Sequence, residues 1–259
     1  MLQKKRRNLQ HRLNRPGQIF DMLSITAYAS GSSGNCYTVT NGKATVMLDC
    51  GLPFREIQMF TGYQLPDAVL VTHEHKDHSK AAAEFLRRGV DVYMTKGTAD
   101  ALGLSGHRLH IMNRDPCGLI GEKEEIQVRA FPTQHDAKEP CGFTIDDCED
   151  RILYATDTYY LRYRFPGITK MMVECNHSYD ILRENISAGR LDPRLANRLM
   201  RSHFSLENVL DFLRANDLST VKEIWLIHLS DDNADPALFE KAVAEATGKA
   251  VYVADRKWR

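Results

Sequence analysis

The sequence predicts an α/β protein folded as a four-layer αββα sandwich, with one domain over 22–259 behind a basic extension over 1–21. Three observations carry that expectation. Strand-like and helical runs alternate in a β-α-β rhythm up to about residue 100. Beyond it, strand-like runs follow one another in hairpin-like order. The helical stretches that recur among them need sheet faces to cover.

Taken in order, residues 1–21 carry Lys4, Lys5, Arg6, Arg7, Arg12 and Arg15 against the single acid Asp21, with Pro16 and Gly17 breaking any helix. No apolar core or small-residue cleavage site follows, so a secretory signal is not expected. The segment reads as an unanchored terminus, or as an arm able to touch phosphate, and Met22 as a candidate start. From Met22, strand-like runs alternate with Gly/Ser/Asn turns as far as "ATVMLD" over 44–49. A helix over 54–62 ("FREIQMFTG"), a strand over 67–72 ("DAVLVT"), a helix over 79–89 and a strand over 90–95 come next. Strands follow over 125–133, 141–146, 151–157, 170–175 and 221–230, with helical character over 197–216 and 236–247.

A chain of 259 residues suits one large domain. The hydrophobic share of 43% and charged share of 26% are those of an ordinary globular protein. No apolar run approaches the ~20 residues that span a bilayer, so no membrane partner is expected. Cysteines 36, 50, 117, 141, 148 and 175 form no CxxC pair, which fits reduced thiols and a cytoplasmic protein. Lys plus Arg equals Asp plus Glu at 34 each, so any affinity for nucleic acid must come from local patches.

The densest chemistry is "THEHKDHS", where His73, His75, Asp77 and His78 fall within six residues directly after a predicted strand. A tight loop there can turn all four donors toward one point, and neutral imidazoles with carboxylates are what a borderline divalent cation prefers. The bland alternative is a polar loop in which Asp77 or Ser79 caps a helix. His135, Asp157 and His228 each follow a predicted strand as well, so all can converge on one sheet edge.

With Asp49 ending a strand in "MLDCG", then HxHxDH, then His135, Asp157 and His228, the order resembles the metallo-β-lactamase fold superfamily over nearly the whole chain from Met22. The resemblance implies that His73, His75 and His135 hold one divalent ion, that Asp77, His78 and His228 hold a second, that Asp157 bridges them, and that Asp49 orients the site from behind. The nitrogen-rich donors favour zinc, with manganese acceptable. Such an ion pair deprotonates a water near neutral pH and neutralises a substrate oxygen, which suits a phosphodiester or an acyl bond.

The strings "ASGSSGNCYTV", "ECNHSYD", "RSHFSLENV" and "HLSDDNAD", in that order, resemble the small bacterial branch typified by YycJ and WalJ, whose members are similar to double-stranded-DNA 5′ exonucleases. By likeness to phosphodiesterase members, His203 would stabilise phosphate charge or protonate the leaving oxygen, which makes His203 and Asp77 the candidate catalytic residues. The plain reading of His203 is an ordinary histidine beside a helix N-cap at Ser205. Upstream, Arg183, Arg190, Arg194, Arg198 and Arg201 form a basic run that fits phosphate contacts, or merely a solvated face. "YYLRYRF" over 159–165 interleaves Tyr159, Tyr160, Tyr163 and Phe165 with Arg162 and Arg164, either to stack bases or to pack as an amphipathic strand.

About 70 residues separate Asp157 from His228, too few for the inserted domain of the RNase J type, and no long arm of the tRNase Z kind is present. The expectation is therefore a minimal metal-dependent nuclease, 5′ exonuclease in type, acting on DNA rather than RNA. A hydrolase of small phosphodiesters or acyl compounds, and a metal-binding protein without turnover, are the alternatives. Asn176 and His177 border the expected pocket without a derived role.

Overall fold

Alternation along the strands sets the architecture. In the computed structural model, which describes residues 23–112, 117–121 and 126–254, β3 (Thr45–Cys50) sends Val46 and Leu48 to one side and Met47 to the other. Strand β10 (Arg151–Ala155) sends Ile152 and Tyr154 into the same cluster as Val46 and Leu48, and Leu153 and Ala155 away from it. Period-two strands covered on both faces thus build three apolar clusters. One lies between two sheets. Each of the others lies between a sheet and the helices outside it, contributing Ile57, Ala82 and Phe85 on one side and Val209, Phe212, Phe239 and Val243 on the other. This is the four-layer αββα sandwich expected from the sequence.

The first sheet runs β1 (Ser24–Ala29), β2 (Cys36–Thr40), β3, β4 (Ala68–Leu70), β5 (Asp91–Met94), β6 (Leu109–Ile111), antiparallel as far as β3 and parallel beyond it. The second runs from β7 (Cys117–Ile120) through β8 (Ile126–Pro132), β9 (Cys141–Asp146), β10, β11 (Lys170–Glu174) and β12 (Glu223–Ile227) to β13 (Ala250–Val253). It is antiparallel as far as β10 and parallel from β10 to β13. Strands β8, β10, β11 and β12 therefore point the same way, and their C-terminal ends share one edge.

The helices are α1 (Phe54–Phe60), α2 (Lys76–Ser79), α3 (Ala82–Arg87), α4 (Lys96–Leu102), α5 (Tyr179–Ser187), α6 (Pro193–Ser202), α7 (Leu206–Arg214) and α8 (Pro236–Thr247). Three expectations are corrected. The helix expected over 79–89 is two pieces and begins earlier, at Lys76. Neither Asp77 nor Ser79 caps it; the Ser79 hydroxyl donates instead to the carbonyls of Glu74 and His75. The helical stretch over 197–216 breaks at His203, whose φ of −134° and ψ of 152° are extended, and Ser205 then caps α7 by accepting from Asn208 N. Residues 159–165 form no strand.

The expected extension over 1–21 lies outside the described residues. At Leu23, where the description begins, the carbonyl accepts from buried Lys170, which also faces Asp150 and Glu223. No helix of the described residues is long and apolar enough to cross a membrane.

Candidate metal centre

His135, Asp157 and His228 stand past the ends of β8, β10 and β12 at that shared edge, His73 and His75 follow β4 of the first sheet, and Asp77 and His78 lie within α2. Helix α2 is pinned onto the end of β3: Ala81 N donates to Cys50 O, and Asn35 N donates to Asp77 O at 2.7 Å. The backbone of Asp77 comes so close that a Cβ at residue 51 would sit 1.7 Å from its carbonyl oxygen, so only Gly51 fits. Asp49, Asp157 and His228 adopt φ of 53°, 46° and 54°. The left-handed region costs a residue with a Cβ roughly 1–2 kcal/mol, a strain that concentrates at functional sites.

The donors converge in two sets. His73, His75, His135 and Asp157 each place one ligand atom within 4.8 Å of the others, and so do Asp77, His78 and His228; Asp157, Glu174, His203 and His228 form a third such group, outside the sequence-predicted sets. In the first set, His75 Nδ1 lies 3.0 Å from His73 Nε2 and 3.3 Å from His135 Nε2, and Asp157 Oδ2 lies 3.3 Å from His135 Nε2. In the second, His78 Nε2 is 3.4 Å from Asp77 Oδ2 and 3.3 Å from Asp157 Oδ1, and His228 Nε2 is 3.6 Å from Asp77 Oδ2. A tetrahedral ion at about 2.05 Å from each donor spaces them roughly 3.3 Å apart, which these distances match. The two oxygens of Asp157 face different sets.

The outer nitrogens explain the orientation. His78 Nδ1 donates to Asp49 Oδ2 (2.7 Å), His135 Nδ1 to Ser202 O (2.9 Å) and His228 Nδ1 to Glu174 Oε1 (2.9 Å), tautomers that the acceptors dictate. His73 Nδ1 meets the Thr72 hydroxyl at 3.0 Å. Each of these four rings is thus left with Nε2 facing inward. Nε2 of His228 is buried without a hydrogen-bond partner among the described residues. Lone pairs crowded at such distances need a cation between them, so the residues present fit divalent ions.

Charges agree with this. Burial opposes the anionic form of Asp77 and Asp157, yet the surrounding histidines hold both carboxyls well below the usual range. Burial would also keep His78 and His228 neutral, but Asp157 and the other carboxylates around them override it, raising His228 to about 10. His73 and His135 are pushed down by burial. The ionised carboxylates thus attract positive charge, protons on His78 and His228 or divalent ions that would displace them.

Asp49 is fully buried. Its Oδ1 accepts from Thr72 N (2.8 Å), and its Oδ2 from Tyr154 OH (2.6 Å) and His78 Nδ1. His203 is not among the seven sequence-predicted donors, though it groups with Asp157, Glu174 and His228, and it stands beside both sets, its ring 5.2 Å from His135 and 5.4 Å from His228, its side chain 15% exposed.

Sequence reasoning missed what holds His203. Glu174, at the end of β11 and completely buried, accepts from His203 Nδ1 (2.6 Å) and His228 Nδ1 on Oε1, and from Thr158 N (2.9 Å) and Phe204 N (3.2 Å) on Oε2. Burial penalises its charge, but His203 and His228 hold its carboxyl down to about 2, and Glu174 in turn raises His203. The available signal was one acid closing the apolar run "KMMVEC" at the same strand edge as Asp157 and His228. Asn35 was missed as well: its amide nitrogen stands 3.1 Å from His78 Nε2. Asn176 now has a role, donating to His228 O at 3.0 Å and so fixing that turn. His177 is buried, kept neutral by burial with a pKa of about 4, and its ring nitrogens find no partner among the described residues.

The basic run divides. Arg183 pairs with Asp180, and Arg190 with Asn185 and Glu184. Arg194, Arg198 and Arg201 are exposed on α6 and fall within about 60° of one another around its axis. Arg198 reaches Asp136 at 3.7 Å, beside His135, and the C-terminal Ser202 of α6 holds the His135 ring. The stripe therefore leads toward the donors.

Comparison with known proteins agrees with this geometry. A model of the Beta-lactamase superfamily domain matches residues 44–229. The chain is 30% identical over 222 residues to exodeoxyribonuclease WalJ of Streptococcus pneumoniae, covering 79% of this chain and 81% of that one. It is 28% identical over 243 residues to exodeoxyribonuclease YycJ of Bacillus anthracis, covering 86% and 88%. Among solved structures, the metallo-beta-lactamase fold protein YhfI of Bacillus subtilis superposes with a TM-score of 0.71 at 15% identity, covering 91% of this chain and 98% of that one.

Proposed function

The chain belongs to the β-lactamase superfamily of metal-dependent hydrolases, and from that premise we propose that it is a two-metal phosphodiesterase removing nucleotides from the 5′ ends of DNA. His73, His75, His135 and Asp157 would hold one divalent ion, and Asp77, His78, His228 and the other oxygen of Asp157 the second, zinc being favoured by the nitrogen-rich donors. Ions held there supply a nucleophile at neutral pH and neutralise phosphate charge.

The observation that carries the reading is His203, an imidazole outside the seven sequence-predicted donors yet against both sets, whose pKa the buried Glu174 carboxylate raises against the effect of burial. Its Nδ1 is committed to Glu174, so Nε2–H is the group available to donate. A sugar alkoxide is a poor leaving group and needs that proton. The stripe Arg194, Arg198 and Arg201 supplies forks for the phosphates of a chain longer than one nucleotide, and exodeoxyribonuclease activity in the relatives of similar length supports DNA as the polymer.

The test is incubation of the metal-loaded protein with end-labelled single-stranded and duplex DNA and RNA, beside bis(p-nitrophenyl) phosphate and nitrocefin. The proposal expects turnover of DNA and of the small phosphodiester, mononucleotides from the 5′ end, and no opening of nitrocefin. Turnover of nitrocefin alone, or products only from 3′ ends, would overturn it.

A further inference from the structure

The segment 159–165 divides in a way that neither expectation for it foresaw. Leu161 and Phe165 are buried, Phe165 packing at 4.8 Å from the ring of Phe131 and 6.2 Å from that of Phe212. Tyr163 leans on the same core, with Arg162 over its outer face, and Arg164 is spent on the carbonyl of Ala215. Tyr159 and Tyr160 are left outside, 38% and 56% exposed, and neither ring meets another aromatic or a cation among the described residues.

These two rings are presented by a fixed backbone. Thr158, fully buried, donates its N–H to Glu174 and its hydroxyl to Tyr160 O at 2.9 Å, while that hydroxyl accepts from Gln134 N. Tyr159 N donates to Gln134 O, and its carbonyl accepts from the Asn208 side chain on α7. The turn is thereby tied to Glu174, to the loop carrying His135 and to the start of α7. Tyr160 is three residues from Asp157, at most about 11 Å of chain. Single exposed aromatics are ordinary; two adjacent unstacked ones on a rigid turn at the rim of the site call for an occupant.

We propose that Tyr159 and Tyr160 form a stacking platform for a nucleobase near the end of the bound strand, a role that rests on the nuclease reading. Charge complementarity selects the occupant. The arginine stripe of α6 ends at Ser202 and His203, which contact the same His135 loop that Tyr159 is tied to, so one polyanionic strand can lay its phosphates along α6 and its base against the rings. Stacking accepts any base, so such a platform would impose no sequence preference.

The test uses 5′-phosphorylated single-stranded oligonucleotides in which one of the first four nucleotides in turn is abasic, with the metal-loaded full chain. In the wild type, the abasic residue at one position raises KM by roughly 5- to 150-fold while the others change it little. In Tyr159→Ala/Tyr160→Ala the normal oligonucleotide shows the raised KM, and the abasic one is no worse. Tyr159→Phe/Tyr160→Phe restores the wild-type pattern, since rings without hydroxyls still stack, and this guards against a folding defect in the alanine variant. An abasic penalty that survives intact in the alanine variant, or no penalty at any position in the wild type, overturns the platform. The same series read by equilibrium binding keeps the two ideas apart: absence of DNA hydrolysis removes the nuclease reading, whereas absence of a position-specific abasic penalty in binding removes the platform.

Discussion

Replacing Glu174 by Gln perturbs the site without changing its shape. Two oxygens of Glu174 accept four donors, the Nδ1–H groups of His203 and His228 and the N–H groups of Thr158 and Phe204. A glutamine amide turns its NH2 against one of these pairs in either orientation, so two bonds are lost and the charge with them. Hydrogen bonds to an ionised group contribute about 1.5–3 kcal/mol each, so the folded state should lose about 3–6 kcal/mol. His228 loses the acceptor that orients it, and loss of such a partner weakens metal binding about 10- to 100-fold. The rate should fall further because His203 loses its counter-charge, and general acid help amounts to about 10²–10⁴ in rate. With Glu174 ionised, His203 titrates above its ordinary value of 6.5, so activity is lost as pH rises through that raised value. In Glu174→Gln that alkaline limb should move to lower pH. The assay is kcat against pH on DNA at saturating metal. An alkaline limb unmoved from wild type, with both ions bound, would refute the coupling of Glu174 to His203.

Other outcomes follow from the same geometry. His203→Ala should retain both ions but lose about 10²–10⁴ in kcat on DNA and much less on bis(p-nitrophenyl) phosphate, whose phenolate leaves without a proton; equal losses on both would assign His203 to binding. Asp157→Ala should bring the metal content measured by mass spectrometry below one ion per chain, since one oxygen of that carboxylate faces each donor set. Asp49→Asn should weaken the second ion by about 10- to 100-fold in a chelator competition, and the first ion less, because it touches His78 directly but His73 only through the Thr72 hydroxyl. Far from the site, burial would raise the Asp150 carboxyl, but Lys222 and Lys170 hold it below the ordinary range. Its contribution is therefore present above the unfolded carboxylate value and lost as pH falls through the lower folded one. Asp150→Asn should cost about 2 kcal/mol at pH 7 and flatten the acid limb of Tm against pH.

The parts of the site legible in the sequence are those whose chemistry is compressed into a few residues. His73, His75, Asp77 and His78 could be read directly because one loop carries them, and His135, Asp157 and His228 because each ends an apolar run. Glu174 was passed over since a single acid after "KMMVE" looks like any strand end; its meaning comes from His203, 29 residues further on in the sequence. Asn35 likewise acts across a separation of 43 residues, through a close approach that depends on Gly51. The layer order followed from strand periodicity, whereas β6, β7 and β13 are short and went unassigned. The break at His203 was legible only through the N-cap at Ser205, since both flanks are good helix formers; the main chain of Phe204 turns away to donate to Glu174 instead of continuing the helix.

Anomalous diffraction from crystals of the metal-loaded protein, recorded at the absorption edge of the bound metal, tests the central claim most directly. The account predicts two peaks, one among His73, His75, His135 and Oδ2 of Asp157, the other among Asp77, His78, His228 and Oδ1 of Asp157. A single peak at full loading, or a second ion held outside the Asp77, His78 and His228 set, would contradict it.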